Sequence, residues 1–180
     1  MKEYKILFSG TPGAGKTTAI AAISETQVVS TDVVNTDEGL KKATTTVGLD
    51  YGSITLDGGD RVRLFGTPGQ GRFDFMWPIL ARDALGLVIL IDNSRPDPLA
   101  DLEVYLEGFA AELEQMPCVV GVGRHETHPE PGIDAFGDRL HARGLVLPVL
   151  PADVRQRADV LMLIDVLLSQ VEAGMVEDTP

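Results

Sequence analysis

Gly10-Thr11-Pro12-Gly13-Ala14-Gly15-Lys16-Thr17 follows the apolar run Ile6-Leu7-Phe8 and leads into Thr18-Ala19-Ile20-Ala21-Ala22-Ile23. A strand, a Gly-x-x-x-x-Gly-Lys-Thr loop and a helix start, in that order, make a phosphate cradle. The glycines let successive backbone N–H groups turn toward one anion, and the helix N-terminus adds the positive end of its dipole. In such a cradle Lys16 reaches the terminal phosphates and the Thr17 hydroxyl ligates Mg²⁺, with Gly10, Pro12, Gly13, Ala14, Gly15 and Thr18 completing the lining. With glycine at about 7% of residues, a chance match arises roughly once in 10⁴ positions. The stretch implies a nucleoside triphosphate site at the first strand–helix junction of an α/β domain.

Outward from that loop, strand and helix patterns alternate without a break long enough to split the chain. Strands are predicted at Tyr4-Phe8, Gly52-Leu56, Val62-Phe65, Leu87-Asp92, Cys118-Val122 and Val146-Val149. Helices are predicted to start near Lys16, Arg72, Leu99, Gly132 and Val154. Leu87-Val88-Ile89-Leu90-Ile91 is apolar at every position, as a central strand covered on both faces requires. Asp57-Gly58-Gly59-Asp60 between two strand-like runs is a hairpin signal. The expected architecture is therefore a three-layer α/β sandwich around a mostly parallel six-stranded sheet with one antiparallel edge pair. Residues 1–171 are expected to form a single domain and 172–180 a fraying polar tail.

Composition narrows the function classes. The 180 residues carry a formal net charge of −12, unevenly spread. Residues 1–95 hold 10 basic and 11 acidic side chains, and residues 96–180 hold 5 and 16. A surface so acidic repels nucleic acid and anionic lipid. No apolar run approaches a membrane span, and no signal peptide is apparent, so a cytoplasmic protein is expected. Cys118, the single cysteine, is expected to be a buried core thiol.

A phosphate loop, a long polar loop, a hairpin and then Gly66-Thr67-Pro68-Gly69-Gln70 resembles the layout of the Ras-like small GTPases. Within that superfamily the chain is most similar to the bacterial MglA-type and uncharacterised prokaryotic small GTPases. Those carry Thr-Thr-x-x-x-Asp-Tyr-Gly and Gly-Thr-Pro-Gly-Gln signatures, here Thr45-Thr46-Val47-Gly48-Leu49-Asp50-Tyr51-Gly52 and residues 66–70. The resemblance implies a P-loop NTPase fold of the small GTPase G-domain type, with GTP/GDP and Mg²⁺ as cofactors. It implies that Thr46 caps the γ-phosphate and Mg²⁺, that the Gly69 N–H senses the γ-phosphate, and that Gln70 orients the attacking water. The catalytic set is then Gln70, Lys16 and Thr46, and the metal ligands are Thr17 and Thr46.

The chain departs from the family pattern at two motifs. The second switch usually opens on an aspartate that holds a Mg²⁺-bound water; here Gly66 stands in its place, which leaves Mg²⁺ to Thr17, Thr46, phosphates and water. The guanine motif Asn-Lys-x-Asp corresponds to Gly123-Arg124-His125-Glu126. Glu126 is the carboxylate in register for the base N1–H and N2–H₂, Arg124 is expected to lie over the base, and Ala152 is expected to offer its backbone N–H to the base oxygen. The other reading of residues 123–126 is a polar loop without base contact.

Arg72 stands near Gln70 as a candidate transition-state arginine, although a surface arginine opening a helix is the favoured reading. Turnover of this reaction type without such a group is about 10⁻⁴ to 10⁻³ s⁻¹, and an arginine raises it by roughly 10³ to 10⁵. A protein regulator that completes the site is thus expected, by family analogy a roadblock-type activating protein, together with an effector. The leading expectation is a slow GTPase switch. A nucleotide-binding signalling scaffold with little hydrolysis and an ATP-using P-loop enzyme are the alternatives.

Overall fold

The fold was analysed on a computed structural model that describes residues 1–31 and 49–177. At its centre lies β1 (Glu3–Gly10), paired in parallel with β4 (Arg61–Gly66) on one side and β5 (Gly86–Asp92) on the other. Beyond β5 run β6 (Cys118–Gly123) and β7 (Val149–Pro151), both parallel. Beyond β4 runs β3 (Leu49–Thr55), antiparallel to it through the expected hairpin, and then the short β2 (Val29–Thr31). The sheet order is β2-β3-β4-β1-β5-β6-β7.

Period-2 alternation divides the strand residues between two cores. Ile6, Phe8, Val88, Leu90 and Val119 face α1 (Lys16–Ile23) and α5 (Arg157–Glu177), packing on Ile20, Leu163 and Leu167. Leu7, Leu87, Ile89, Ile91 and Val120 face the other way. They pack on α2 (Trp77–Ala81), α3 (Pro98–Gly108) and α4 (Ile133–Ala142) through Trp77, Leu102, Phe136 and Leu140. Both faces of β5 are buried along its whole length, as its unbroken apolar run demands. Cys118 is fully buried, and burial pushes its thiol far above the ordinary range. This is the three-layer α/β sandwich of the P-loop GTPase type.

Four boundaries differ from those read off the sequence. The sheet has seven strands rather than six, because three-residue β2 is long enough to pair with β3 but too short to show alternation. The last strand lies at Val149–Pro151 rather than Val146–Val149; its first ladder pair is Val120↔Val149, and Val146 is exposed. Gly71–Met76 forms a 3₁₀ turn ahead of α2, with Pro78 inside the first turn of that short helix. The last helix starts at Arg157, after a turn at 154–156, and continues to Glu177, through part of the stretch expected to fray. Among the described residues no helix is long and apolar enough to cross a membrane.

Candidate nucleotide-binding site

The chain leaves the C-terminal end of β1 in a tight loop, where the Ala14 N–H donates to the Thr11 carbonyl at 3.0 Å. Gly13 and Gly15 take φ of 79° and 100°, the left-handed region that side chains disfavour. The loop closes on the Lys16 ammonium, which donates to the Gly10 carbonyl at 2.6 Å and the Thr11 carbonyl at 2.9 Å. Lys16 is only 8% exposed. Burial lowers its pKa to about 8, against the opposing pull of the Asp50 carboxylate.

Asp50 is the residue that sequence reading did not assign. It lies on β3 directly across the hairpin from Gly66. A Cβ on Gly66 would fall 3.1 Å from both Cβ and Oδ2 of Asp50, so the glycine makes room for that carboxylate. Asp50 Oδ2 accepts from the Thr17 hydroxyl, and Oδ1 accepts from Ser30 Oγ at 2.6 Å. The carboxylate missing at the head of the second switch is thus present beside Thr17, delivered from the neighbouring strand. A signal existed: the turn at 57–60 sets a hairpin register that places residue 50 opposite residue 66. A threonine hydroxyl and a carboxylate at one point are the hard oxygen donors that suit Mg²⁺. Thr46, the other expected metal ligand, lies outside the described residues, as do Thr45, Val47 and Gly48.

Residues 66–70 return to the phosphate loop. Thr67 donates its N–H to the Phe8 carbonyl at 2.8 Å and shares a 2.7 Å hydroxyl contact with Ser9. Gly69 then meets the loop: a Cβ there would fall 2.7 Å from Lys16 Nζ and 2.7 Å from Pro12 N. Only glycine fits that approach. Gln70 is exposed at the start of the 3₁₀ turn, where its carbonyl accepts from the Phe73 N–H. The Arg72 guanidinium lies over the Phe73 ring, 4.8 Å from its centroid, and is exposed.

On the other side of the phosphate loop a cavity of about 680 Å³ extends from residues 13–18 between the 122–127 and 151–155 loops. Its size suits a small-molecule ligand. Arg124, at φ 58°, pairs with Asp92 and brings both terminal nitrogens to 3.4 Å from the Gly13 carbonyl. The guanidinium therefore straps this loop to the phosphate loop. Burial pushes the Asp92 carboxyl up, but hydrogen bonds from Ser94 and Arg124 more than reverse it and hold the group below its ordinary range. Asn93, unassigned in the sequence, braces the loop where Gly123 brings no amide. Its N–H donates to the Gly123 carbonyl at 3.1 Å, and Nδ2 donates to the carbonyls of His128 at 2.6 Å and Pro131 at 3.1 Å.

Glu126 lines the cavity and is exposed. Ala152 is buried at its wall, and its N–H donates to the Val122 carbonyl at 3.0 Å, so a base oxygen there competes with an existing acceptor. Asp153 adds a second carboxylate, held by Arg155 through bonds of 2.9 and 2.7 Å and lowered to a pKa of about 2 by that partner. The structure thus brings together residues 10–18, Gly69, Arg124, Glu126 and Ala152 around one loop.

Comparison with known proteins points to a nucleotide-binding family. Residues 26–138 match the model of a family described as "conserved hypothetical ATP binding protein". An uncharacterised protein of Methanocaldococcus jannaschii is 26% identical over 102 residues, which cover 57% of this chain and 59% of that protein. Intraflagellar transport protein 22 of Chlamydomonas reinhardtii is 31% identical over 120 residues, 64% of this chain and 59% of the relative. An intraflagellar transport protein 22 homolog of Danio rerio is 23% identical over 166 residues, 88% and 84% of the two chains. The chain spans 59% of the length of the first two relatives.

Proposed function

We propose, for a chain that belongs to the family described as conserved hypothetical ATP binding protein, a small GTP-binding switch with slow, Mg²⁺-dependent hydrolysis. The observation that carries this reading is the contact of Gly69 with Lys16 and Pro12, which joins the second switch directly to the phosphate loop. A phosphate loop that only anchored a nucleotide would need no such approach.

In this reading the phosphate-loop N–H groups and Lys16 hold the phosphates, and Glu126 accepts from the guanine N1–H and N2–H₂. Thr17, Asp50 and Thr46 would hold Mg²⁺. When bound, the ion neutralises charge shared between the β- and γ-phosphates. Gln70 orients a water whose oxygen attacks the γ-phosphorus as the bond to the bridging oxygen breaks, leaving GDP and phosphate. Arg72 stacks on Phe73, which leaves the transition-state arginine to a protein regulator; by resemblance to the MglA-type GTPases that is a roadblock-type activating protein. The acidic surface disfavours nucleic acid, and the proposed setting is the cytoplasm.

Two observations favour an adenine nucleotide as the second reading: the family's own description, and the Ala152 N–H already engaged by Val122. Single-turnover hydrolysis in Gln70→Leu tests the switch. That variant is expected to bind the triphosphate as the parent does and to hydrolyse it at least tenfold more slowly. Parent-like turnover removes Gln70 from the reaction and leaves a binding scaffold.

A further inference from the structure

Two aromatic side chains that nucleotide contact does not require fasten the second switch from behind. The Pro68 carbonyl accepts from Trp77 Nε1 at 3.0 Å, and the Gly69 carbonyl accepts from the Tyr105 hydroxyl at 3.0 Å. Both donors are buried. The Trp77 ring stacks on Tyr105 at 4.9 Å and on Phe109 at 5.4 Å between centroids. It also lies against Gly108, where a Cβ would come within 2.5 Å of the ring. Tyr105 is carried by α3, whose N-terminus is capped by the Asp97 carboxylate on the Ala100 N–H.

In a trans peptide the C=O and N–H vectors point in opposite directions within one plane. Turning the Pro68 carbonyl to Trp77 therefore turns the Gly69 N–H away from it. Turning the Gly69 carbonyl to Tyr105 does the same for the Gln70 N–H. Neither N–H donates to a described residue, and the Gly69 backbone stands against the Lys16 ammonium. Two donors are thereby fixed on the side of the loop away from the aromatic layer, and Gly69 itself stands next to the cation that grips terminal phosphates.

We propose that Tyr105, with Trp77, is a positioning residue that sets preference for triphosphate over diphosphate by fixing the Gly69 and Gln70 N–H groups for the terminal phosphate. The proposal rests on the nucleotide-binding reading above. A diphosphate ends one phosphoryl group short of these donors, so its affinity is independent of the aromatic pair. Hydrogen bonds that merely satisfied buried polar atoms would act on the fold as a whole and on both nucleotides alike.

The test is equilibrium binding of GTP and GDP, or of the adenine pair if the parent prefers it, to the nucleotide-stripped full chain in Mg²⁺. Tyr105→Phe keeps the stacked ring and removes only the donor, and Trp77→Phe provides a second variant. Loss of one such bond is expected to weaken triphosphate about five-fold while diphosphate stays within two-fold of the parent. An unchanged ratio in Tyr105→Phe, or an equal loss for both nucleotides, overturns the positioning role and leaves the nucleotide reading intact. A folded parent that binds neither nucleotide overturns both.

Discussion

Lys16 and Asp50 are buried beside Thr17, and Lys16 is functional only if its charge survives burial. Lys16 titrates at about 8 in the fold against an ordinary 10.5. Between those values the unfolded chain binds more protons than the native one, so this group makes stability rise with pH across that window. Phosphate needs the ammonium, and nucleotide affinity should move the opposite way. It is expected to be flat below pH 7 and to fall, by up to tenfold per unit, above about 8. Nucleotide titrations from pH 6.5 to 9.5 check this; a flat profile means the Lys16 charge is not used. Asp50 yields a sharper test because of its register with Gly66. Asp50→Asn should lower Mg²⁺-dependent triphosphate affinity about tenfold. Exchanging the pair, Asp50→Gly with Gly66→Asp, should restore part of it, since removing the first side chain frees the space for the second. A swap no better than Asp50→Asn would show that the carboxylate is structural. Lys16 and Thr17 were legible because a contiguous loop carries their geometry. Asp50 was not, because its partner is 33 residues away in sequence and appears only once the hairpin register is drawn. Arg124 was read as a residue lying over the base and not as a strap, because nothing local foretells its pairing with Asp92.

Elements were legible in proportion to their length and apolar periodicity. β5 was read almost to the residue, since a fully buried strand leaves no polar interruption. β2 and β7 have three residues each, and partner strands rather than intrinsic pattern define them. The turn at 154–156 delays α5 and brings Val154 against Gly15, where a Cβ would lie 2.6 Å from Cγ2. The seating of α5 on the sheet depends on small residues beneath it. At Gly86 an added Cβ would lie 2.8 Å from three side-chain atoms of fully buried Leu167. Gly86→Ala is therefore expected to cost about 1–3 kcal/mol as overpacking. Leu167→Ala in the same chain should recover part of that loss. Denaturant unfolding of the two single variants and the double variant measures it, and strict additivity would mean the two positions are not in contact.

For the molecule as a whole, the sheet brings three distant segments to one end: the phosphate loop after β1, the second switch after β4, and the paired loops after β6 and β7. The phosphate half of the proposed site was written in the sequence as a motif, and the proposed base half was not. Gly123 and Ala152 contribute backbone alone, and backbone direction is set by the assembled sheet. Selectivity should rest on the one exposed carboxylate lining the cavity from the 123–126 stretch. Glu126→Ala is expected to cut the ratio of GTP to ATP affinity about tenfold, read by competition binding; an unaltered ratio assigns base reading elsewhere in the cavity, Asp153 first. The most direct measurement is equilibrium binding of GTP, GDP, ATP and ADP to the nucleotide-stripped chain, with and without Mg²⁺, beside Lys16→Ala. The account predicts saturable binding that favours guanine, is strengthened for the triphosphate by Mg²⁺, and falls at least a hundredfold in Lys16→Ala. No saturable binding of any of the four, or equal binding by Lys16→Ala, would contradict it.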